Sequence, residues 1–206
     1  MVARAPSSDL TGYARIRNAA LEAFARDGVK ASSVRAIARA AGVSPGLVQH
    51  YFPSKDALRD AVNEHVIALA AEHFADLPQA AGDEDPLVAL GDRITLLVGE
   101  RPEAILYASR AIVEGDTAAL ELFDAFLAIA GAQWERLAGE DLLRPDLDLG
   151  WAALHSVIFN LATVLFRRAI ERHLPEPFFS PGELARWNAA TTALMRSGTR
   201  RGGAPG

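Results

Sequence analysis

Between Ser33 and Lys55 the chain reads as helix, tight turn, helix, and the start of a further helix. Ser33 caps the first of these, Val34–Ala41, and its apolar positions Val34, Ile37, Ala38 and Ala41 recur at i, i+3, i+4 and i+7, one face of a helix. Gly42 ends it, because glycine enters the left-handed conformation without a Cβ penalty. Val43 plugs the turn. Ser44 caps the second helix and Pro45 occupies its first position, where no N–H is needed. Leu47, Val48 and Phe52 are expected to face inward, which leaves Gln49, His50 and Tyr51 with polar tips on the same helix. Pro53-Ser54 breaks that helix, and Ser54-Lys55-Asp56 caps the next. Two short helices joined by a three-residue glycine turn describe a helix-turn-helix, whose second helix enters the DNA major groove. On periodicity alone, any compact helical hairpin fits equally well.

An upstream helix over 11–27 supplies the brace. Tyr13, Ile16, Ala20 and Phe24 form its inner face, Gly28 stops it, and it buries Ile37, Val43 and Val48. The run AFARDGVKASSVRAIARAAGVSPGLVQHYFPSKDAL, with its IAxxAGVSxGxxxxYFxSKxxL pattern, resembles the amino-terminal signature of the TetR family of one-component transcriptional regulators. The resemblance runs without gaps from about Arg15 to Val62; beyond that it is architectural. It implies an all-α chain of about nine helices, with a three-helix DNA-binding head (1–53) that also packs on the start of helix four. A helical ligand-binding and dimerisation body (54–196) and a disordered tail (197–206) follow. It also implies an Ω-like homodimer, a palindromic operator on double-stranded DNA, and a small-molecule effector that relieves repression.

The distribution of charge agrees with a DNA-reading head. The whole chain carries −5, but residues 1–60 hold nine Lys and Arg against five Asp and Glu, while the remainder holds twelve against twenty-one. A basic front on an acidic back lets the head seek DNA while the body does not stick to it. Half the residues are hydrophobic, enough for a sizeable core. No cysteine is present, so disulfides, zinc-thiolate sites and thiol nucleophiles are excluded. The amino terminus has no signal-peptide core. The longest apolar run, 156–166, is too short to span a membrane and contains Asn160, so a soluble, cytoplasmic protein is expected.

For the DNA face, the expected contacts are Ser33, Arg35, Gly46, Gln49, His50, Tyr51 and Lys55. Gln49 and His50 can bond base edges, and Gly46 lets the backbone approach. Ser33 sits at a helix end whose free N–H groups suit a phosphate. The resemblance places phosphate contacts at Tyr51 and Lys55 and a base contact at Arg35. The bland alternative is a solvated polar face, and Arg39 is read as a surface charge.

Helix four is expected over 54–76 as a mechanical connection shared by head and body. A loop follows over 77–85, then helices from Pro86, over 102–114 and over 117–137. Helix eight, over 150–173, carries two apolar stripes. One is Trp151, Leu154, Ile158, Leu161 and Leu165; the other includes Ala152, Phe159, Ala162, Phe166 and Ile170. One stripe can face the core and the other a second subunit. Ser180, Pro181 and Glu183 form a capping box for a ninth helix ending near Arg196.

Candidate effector-binding residues are Tyr107, Phe123, Phe126, Trp134, Trp151, His155, Phe159 and Asn160, set against the alternative of ordinary core. His155 and Asn160 carry more weight, since a buried polar group must find a partner or a ligand. Asn160 could equally fix a subunit interface. Candidate interface residues are Leu154, Ile158, Leu161, Leu165, Leu184, Trp187, Thr191 and Leu194. None of the five histidines makes an i, i+4 pair, and no HExxH, GxSxG or phosphate-binding glycine loop is present. No enzyme, metal site or cofactor is therefore expected. A chain of a different class, a helical interaction or carrier module with a degenerate helix-turn-helix, would lack the basic head, Tyr51 and Lys55.

Overall fold

The computed structural model describes residues 12–75, 85–140 and 142–199. Among them are ten α-helices and no strand. The helices are α1 (Gly12–Asp27), α2 (Val34–Ala41), α3 (Pro45–Tyr51), α4 (Lys55–Ala75), α5 (Pro86–Glu100), α6 (Pro102–Glu114), α7 (Thr117–Gly139), α8 (Leu149–Leu165), α9 (Arg167–Ile170) and α10 (Pro181–Thr199). A 3-10 turn, Glu171–His173, follows α9. The first eleven residues of the expected head, the expected loop over 77–84 and the tail over 200–206 lie outside the described residues.

Local chemistry builds the head. Ser33 Oγ accepts from Ala36 N at 3.2 Å, Ser44 Oγ from Leu47 N at 3.2 Å and Ser54 Oγ from Ala57 N at 3.0 Å, so three successive helices are capped by serine. Gly42 has φ +66°; its N–H bonds Arg39 O at 3.2 Å and the N–H of Val43 bonds Ala38 O at 2.9 Å. That pair of bonds is the Schellman arrangement, which satisfies the last carbonyls of α2 while reversing the chain. Ile16, Ala20, Phe24, Ile37, Val48, Leu58 and Val62 are buried together beneath it.

α1 packs on α2, α4 and α6, so the brace of the head is also its seat on the body. In the body, α7 and α6 both lie on α8, and α5 pairs with α10. The α5–α10 pairing requires Gly91: a Cβ there would stand 2.5 Å from both Asn188 Oδ1 and Thr192 Oγ1. A second apolar cluster, with Leu87, Trp134, Leu137 and Leu143, closes the end of the body distant in sequence from the head.

Three expectations need correction. Helix eight does not continue to His173; it ends at Leu165, and the segment after it turns by 62°. Arg167 and Arg168 interrupt the apolar pattern after Phe166, and the following residues are held by the returning chain. Arg167 lies over the Phe179 ring at 5.8 Å, and Phe178 N donates to Glu171 Oε1 at 3.1 Å. The capping box at α10 is half formed. Glu183 N donates to Ser180 Oγ at 3.3 Å, but the Glu183 carboxylate pairs with Arg186 at 3.1 Å rather than reaching back. α10 also runs three residues past Arg196, to Thr199, into the segment assigned to the tail. No single helix among the described residues is long and apolar enough to cross a membrane.

Candidate functional site

α3 is nearly all surface. Val48 is buried at its core-facing side and Phe52 behind its end, with Leu47 half-buried, while Gln49, His50 and Tyr51 are exposed. Gly46 is also exposed, and a Cβ added there would meet nothing nearer than Ser44 Oγ at 3.9 Å. A seven-residue helix held by one buried valine and two end caps presents its other side chains outward. Tyr51 is positioned from α1: its ring stands edge-on to Tyr13 at 6.0 Å, and a Cβ on Gly12 would lie 3.2 Å from its Cε2. His50 stacks edge-on against Tyr51 at 5.4 Å. Lys55 Nζ donates to Lys30 O at 3.1 Å, which brings the first residue of α4 to the loop that leads into Ser33. Arg35 and Ser33 are exposed on the first turn of α2, and Arg39 is exposed as well. The structure thus brings Tyr51 and His50 together, and Lys55 close to the loop before α2.

One residue of this face was not singled out from the sequence. Arg15 Nη2 donates to Ala41 O at 2.6 Å and to Gly42 O at 3.0 Å. A cation placed on the last carbonyls of α2 meets the negative end of its dipole and pins the turn between α2 and α3. The signal was available in part, as Arg15 faces the same side of α1 as the turn-burying apolar residues.

The body holds an apolar cavity of about 100 Å³ between α4, α5, α7 and α8. Of the eight candidate effector residues, Phe126, Trp134 and Asn160 line it. So does Leu161, a candidate for the interface. Gln133, not singled out from the sequence, also lines the cavity, and its Oε1 is buried without a hydrogen-bond partner. Asn160 Nδ2 donates to Ser156 O at 2.7 Å, and Trp134 Nε1 donates to Ser156 Oγ at 3.0 Å. No charged residue is among the lining.

Tyr107 lies elsewhere: its hydroxyl donates to Asn63 Oδ1 at 2.6 Å, and Asn63 Nδ2 donates to Ala118 O at 3.1 Å. Burial pushes the Tyr107 phenol well above its usual range. This buried pair joins α4 to α6 and α7, and Arg59 adds an ion pair from α4 to Asp116 at 2.9 Å. Phe123 is half-buried against the main core. Trp151, His155 and Phe159 point away from the cavity; they share an exposed face of α8 with Ile158, with the Trp151 and His155 rings 5.3 Å apart. Of the candidate interface residues, Ile158 is 48% and Leu194 61% exposed, whereas Leu184 is buried in this chain's own core. Leu154, Leu165, Trp187 and Thr191 are half-buried.

Residues 16–62 match the family model described as bacterial regulatory proteins, tetR family. The head of this chain is thus similar to the amino-terminal part of tetR-family regulators. Over 60 residues it is 55% identical to the HTH-type transcriptional regulatory protein RaaS of Mycobacterium tuberculosis, a match covering 29% of this chain and 28% of that protein's own length. The whole tetR-type fold recurs in solved structures. The ketosteroid transcriptional regulator KstR2 of Mycobacterium tuberculosis superposes with a TM-score of 0.68 at 16% identity, over 97% of this chain and all of that one. The transcriptional regulator FadR of Bacillus subtilis, in complex with stearoyl-CoA, gives 0.71 at 18% identity, over 90% of this chain and 98% of that one.

Proposed function

We propose that this chain is a sequence-specific DNA-binding transcriptional regulator of the tetR family. It grips a palindromic operator as a homodimer and is released by a small apolar effector. The observation that carries the reading is the exposure of Gln49, His50 and Tyr51 on a capped α3 whose inward side is anchored by Val48. Gln49 reads a base edge in the major groove, while Tyr51, Lys55 and the amino-terminal end of α2 at Ser33 hold phosphates.

The effector site is the apolar cavity. Ala70 and Phe74 of α4 form part of its wall, and the same helix begins at Lys55 in the head. A molecule that moves this wall therefore moves the head through one rigid rod. It shifts DNA affinity only to the extent that it binds the DNA-free state more tightly. The absence of charged lining favours an uncharged, largely apolar effector, and the buried Gln133 Oε1 favours one that donates a hydrogen bond. A fold that holds stearoyl-CoA in another regulator supports an apolar guest. The exposed face of α8, with Ile158 and Phe159, and Leu194 of α10 supply the apolar surface for the second subunit.

The test is selection of binding sites from random duplex DNA with the purified protein at about physiological salt. The expected product is a palindrome with half-sites about one helical turn, ~34 Å, or somewhat more apart. Recovery of no enriched sequence, with or without apolar small molecules added, would sink the reading in favour of a carrier or interaction module.

A further inference from the structure

The cavity between α4, α5, α7 and α8 is hydrocarbon on one side and polar on the other. Its α4 and α5 walls carry apolar side chains throughout, with Phe74, Leu90 and Ile94 among them. Its polar side chains come from the seam of α7 and α8: Gln133, Trp134, Ser156 and Asn160. Two of those four engage each other. Trp134 Nε1 donates to Ser156 Oγ at 3.0 Å, and Ser156 Oγ donates to Ala152 O at 2.9 Å. The two amides are less well served. Asn160 Nδ2 donates to Ser156 O at 2.7 Å, but Asn160 Oδ1 accepts no hydrogen bond among the described residues. The Gln133 side chain makes none among them at either end, and its Oε1 is buried.

A buried carbonyl oxygen without a donor destabilises a fold by its lost hydration. A methionine at 133 would fill the same wall without that loss, so the amide suits a guest better than it suits the fold. The guest must donate to Gln133 Oε1 or Asn160 Oδ1. Turning an amide by half a revolution exchanges acceptor for donor at the same spot, and a hydroxyl serves either, since it both donates and accepts. A carboxylate only accepts, and no charged side chain lines the cavity to offset its loss of hydration. A hydrocarbon fits the walls and leaves both amides unmet. Volume bounds the rest. A cavity of about 150 Å³ lined by Leu, Ile and Phe takes benzene, so one of about 100 Å³ takes a guest of about one ring.

We propose that the cavity takes a small neutral alcohol or phenol of about six carbons, its hydroxyl against Gln133 and Asn160 and its hydrocarbon on the α4 and α5 walls. The inference rests on the reading of this cavity as the effector site, and narrows it from apolar guests in general to hydroxyl compounds. Phe74, on the hydrocarbon side, is where such a guest touches the helix that begins in the head.

Calorimetric titration of the full chain, without DNA, compares phenol with toluene, its near-isostere lacking the hydroxyl, and with benzoate. Phenol should bind, and benzoate about a hundred-fold weaker or not at all. In Gln133→Met the affinity for phenol relative to toluene should fall about ten-fold or more. Toluene, which makes no bond to the amide, should still bind and so report an intact cavity. The same variant without ligand should unfold at a higher urea midpoint, the opposite of what removing a structural amide gives. If Gln133→Met does not fold, Asn160→Leu carries the same ratio. An unchanged ratio, benzoate bound as tightly as phenol, or no binding of phenol would overturn the assignment. So would a lower midpoint for folded Gln133→Met. Titrating a selected operator duplex with phenol or toluene present separates this result from the effector reading. A cavity that prefers phenol in the ratio test and leaves DNA affinity unchanged keeps the ligand class and removes the effector role. Release of the duplex by toluene as readily as by phenol keeps the effector role and overturns the hydroxyl preference.

Discussion

At the scale of single residues, the proposed DNA face divides by chemistry into readers and holders. Gln49→Ala should relax base preference at one operator position by ~1–3 kcal/mol. Lys55→Ala should weaken all duplexes about equally and lower the salt slope by about one; both are read by titrating operator and scrambled duplexes over a salt series. The Tyr107–Asn63 bond is structural by the same kind of argument. Tyr107→Phe leaves the buried Asn63 Oδ1 without its donor, and urea unfolding should show a loss of ~1–3 kcal/mol.

His65 adds a pH dependence. Burial, and then the charges of Arg17 and Arg101, lower its pKa from 6.5 to about 4. Between those values the unfolded chain takes up a proton that the folded chain refuses. The contribution is therefore whole above pH 6.5 and is lost as pH falls toward about 4. A His65→Gln variant should show a shallower decline of melting temperature across that window.

At the scale of elements, the turn between α2 and α3 is where local sequence and tertiary contact coincide. Gly42 at φ +66° ends α2, and Arg15 clamps the carbonyls that the turn leaves exposed. Gly42→Ala forces a Cβ into the left-handed region, at about 1–2 kcal/mol. That Cβ would also stand 3.0 Å from Arg15 Nη2, and the arginine must give way. The expected outcome is a lower unfolding midpoint together with weaker binding to every duplex, since α3 loses its fixed angle to α1. Thermal unfolding and operator titration on the same variant check both halves.

At the scale of the whole molecule, the orientation of α8 decides which residues face outward and which face the cavity, and so which are proposed for a partner and which for an effector. Ile158→Asp should yield monomers by light scattering while the urea midpoint stays close to that of the parent chain, because Ile158 is exposed in the single chain. Leu161→Asp should do the reverse. A carboxylate in the apolar cavity destabilises the body first, and the loss is read in the unfolding midpoint. An Ile158→Asp chain that remained dimeric would move the interface off this face.

The head was legible from sequence because its determinants act within four or five residues: a serine cap, a proline at the first turn, a glycine that alone tolerates the reversed φ. The family signature over Ile16 to Val62 is a record of those same local rules. The body was legible as a set of helices but not as an arrangement. Periodicity separates the stripes of α8 from one another without saying what each faces. Trp151 and Ile158 turned outward while Leu161, of the same expected stripe, turned into the cavity, because α6 and α7 set the rotation of α8 about its axis. The bend at Phe166, the Gly91 approach of α5 to α10, the Arg15 clamp and the unpartnered Gln133 belong to contacts between residues far apart in the chain. The sequence by itself determined where the helices of the head begin and stop and that two of them form a helix-turn-helix. The tertiary structure decided which faces meet and where the cavity lies, since those follow from packing rather than from any local preference.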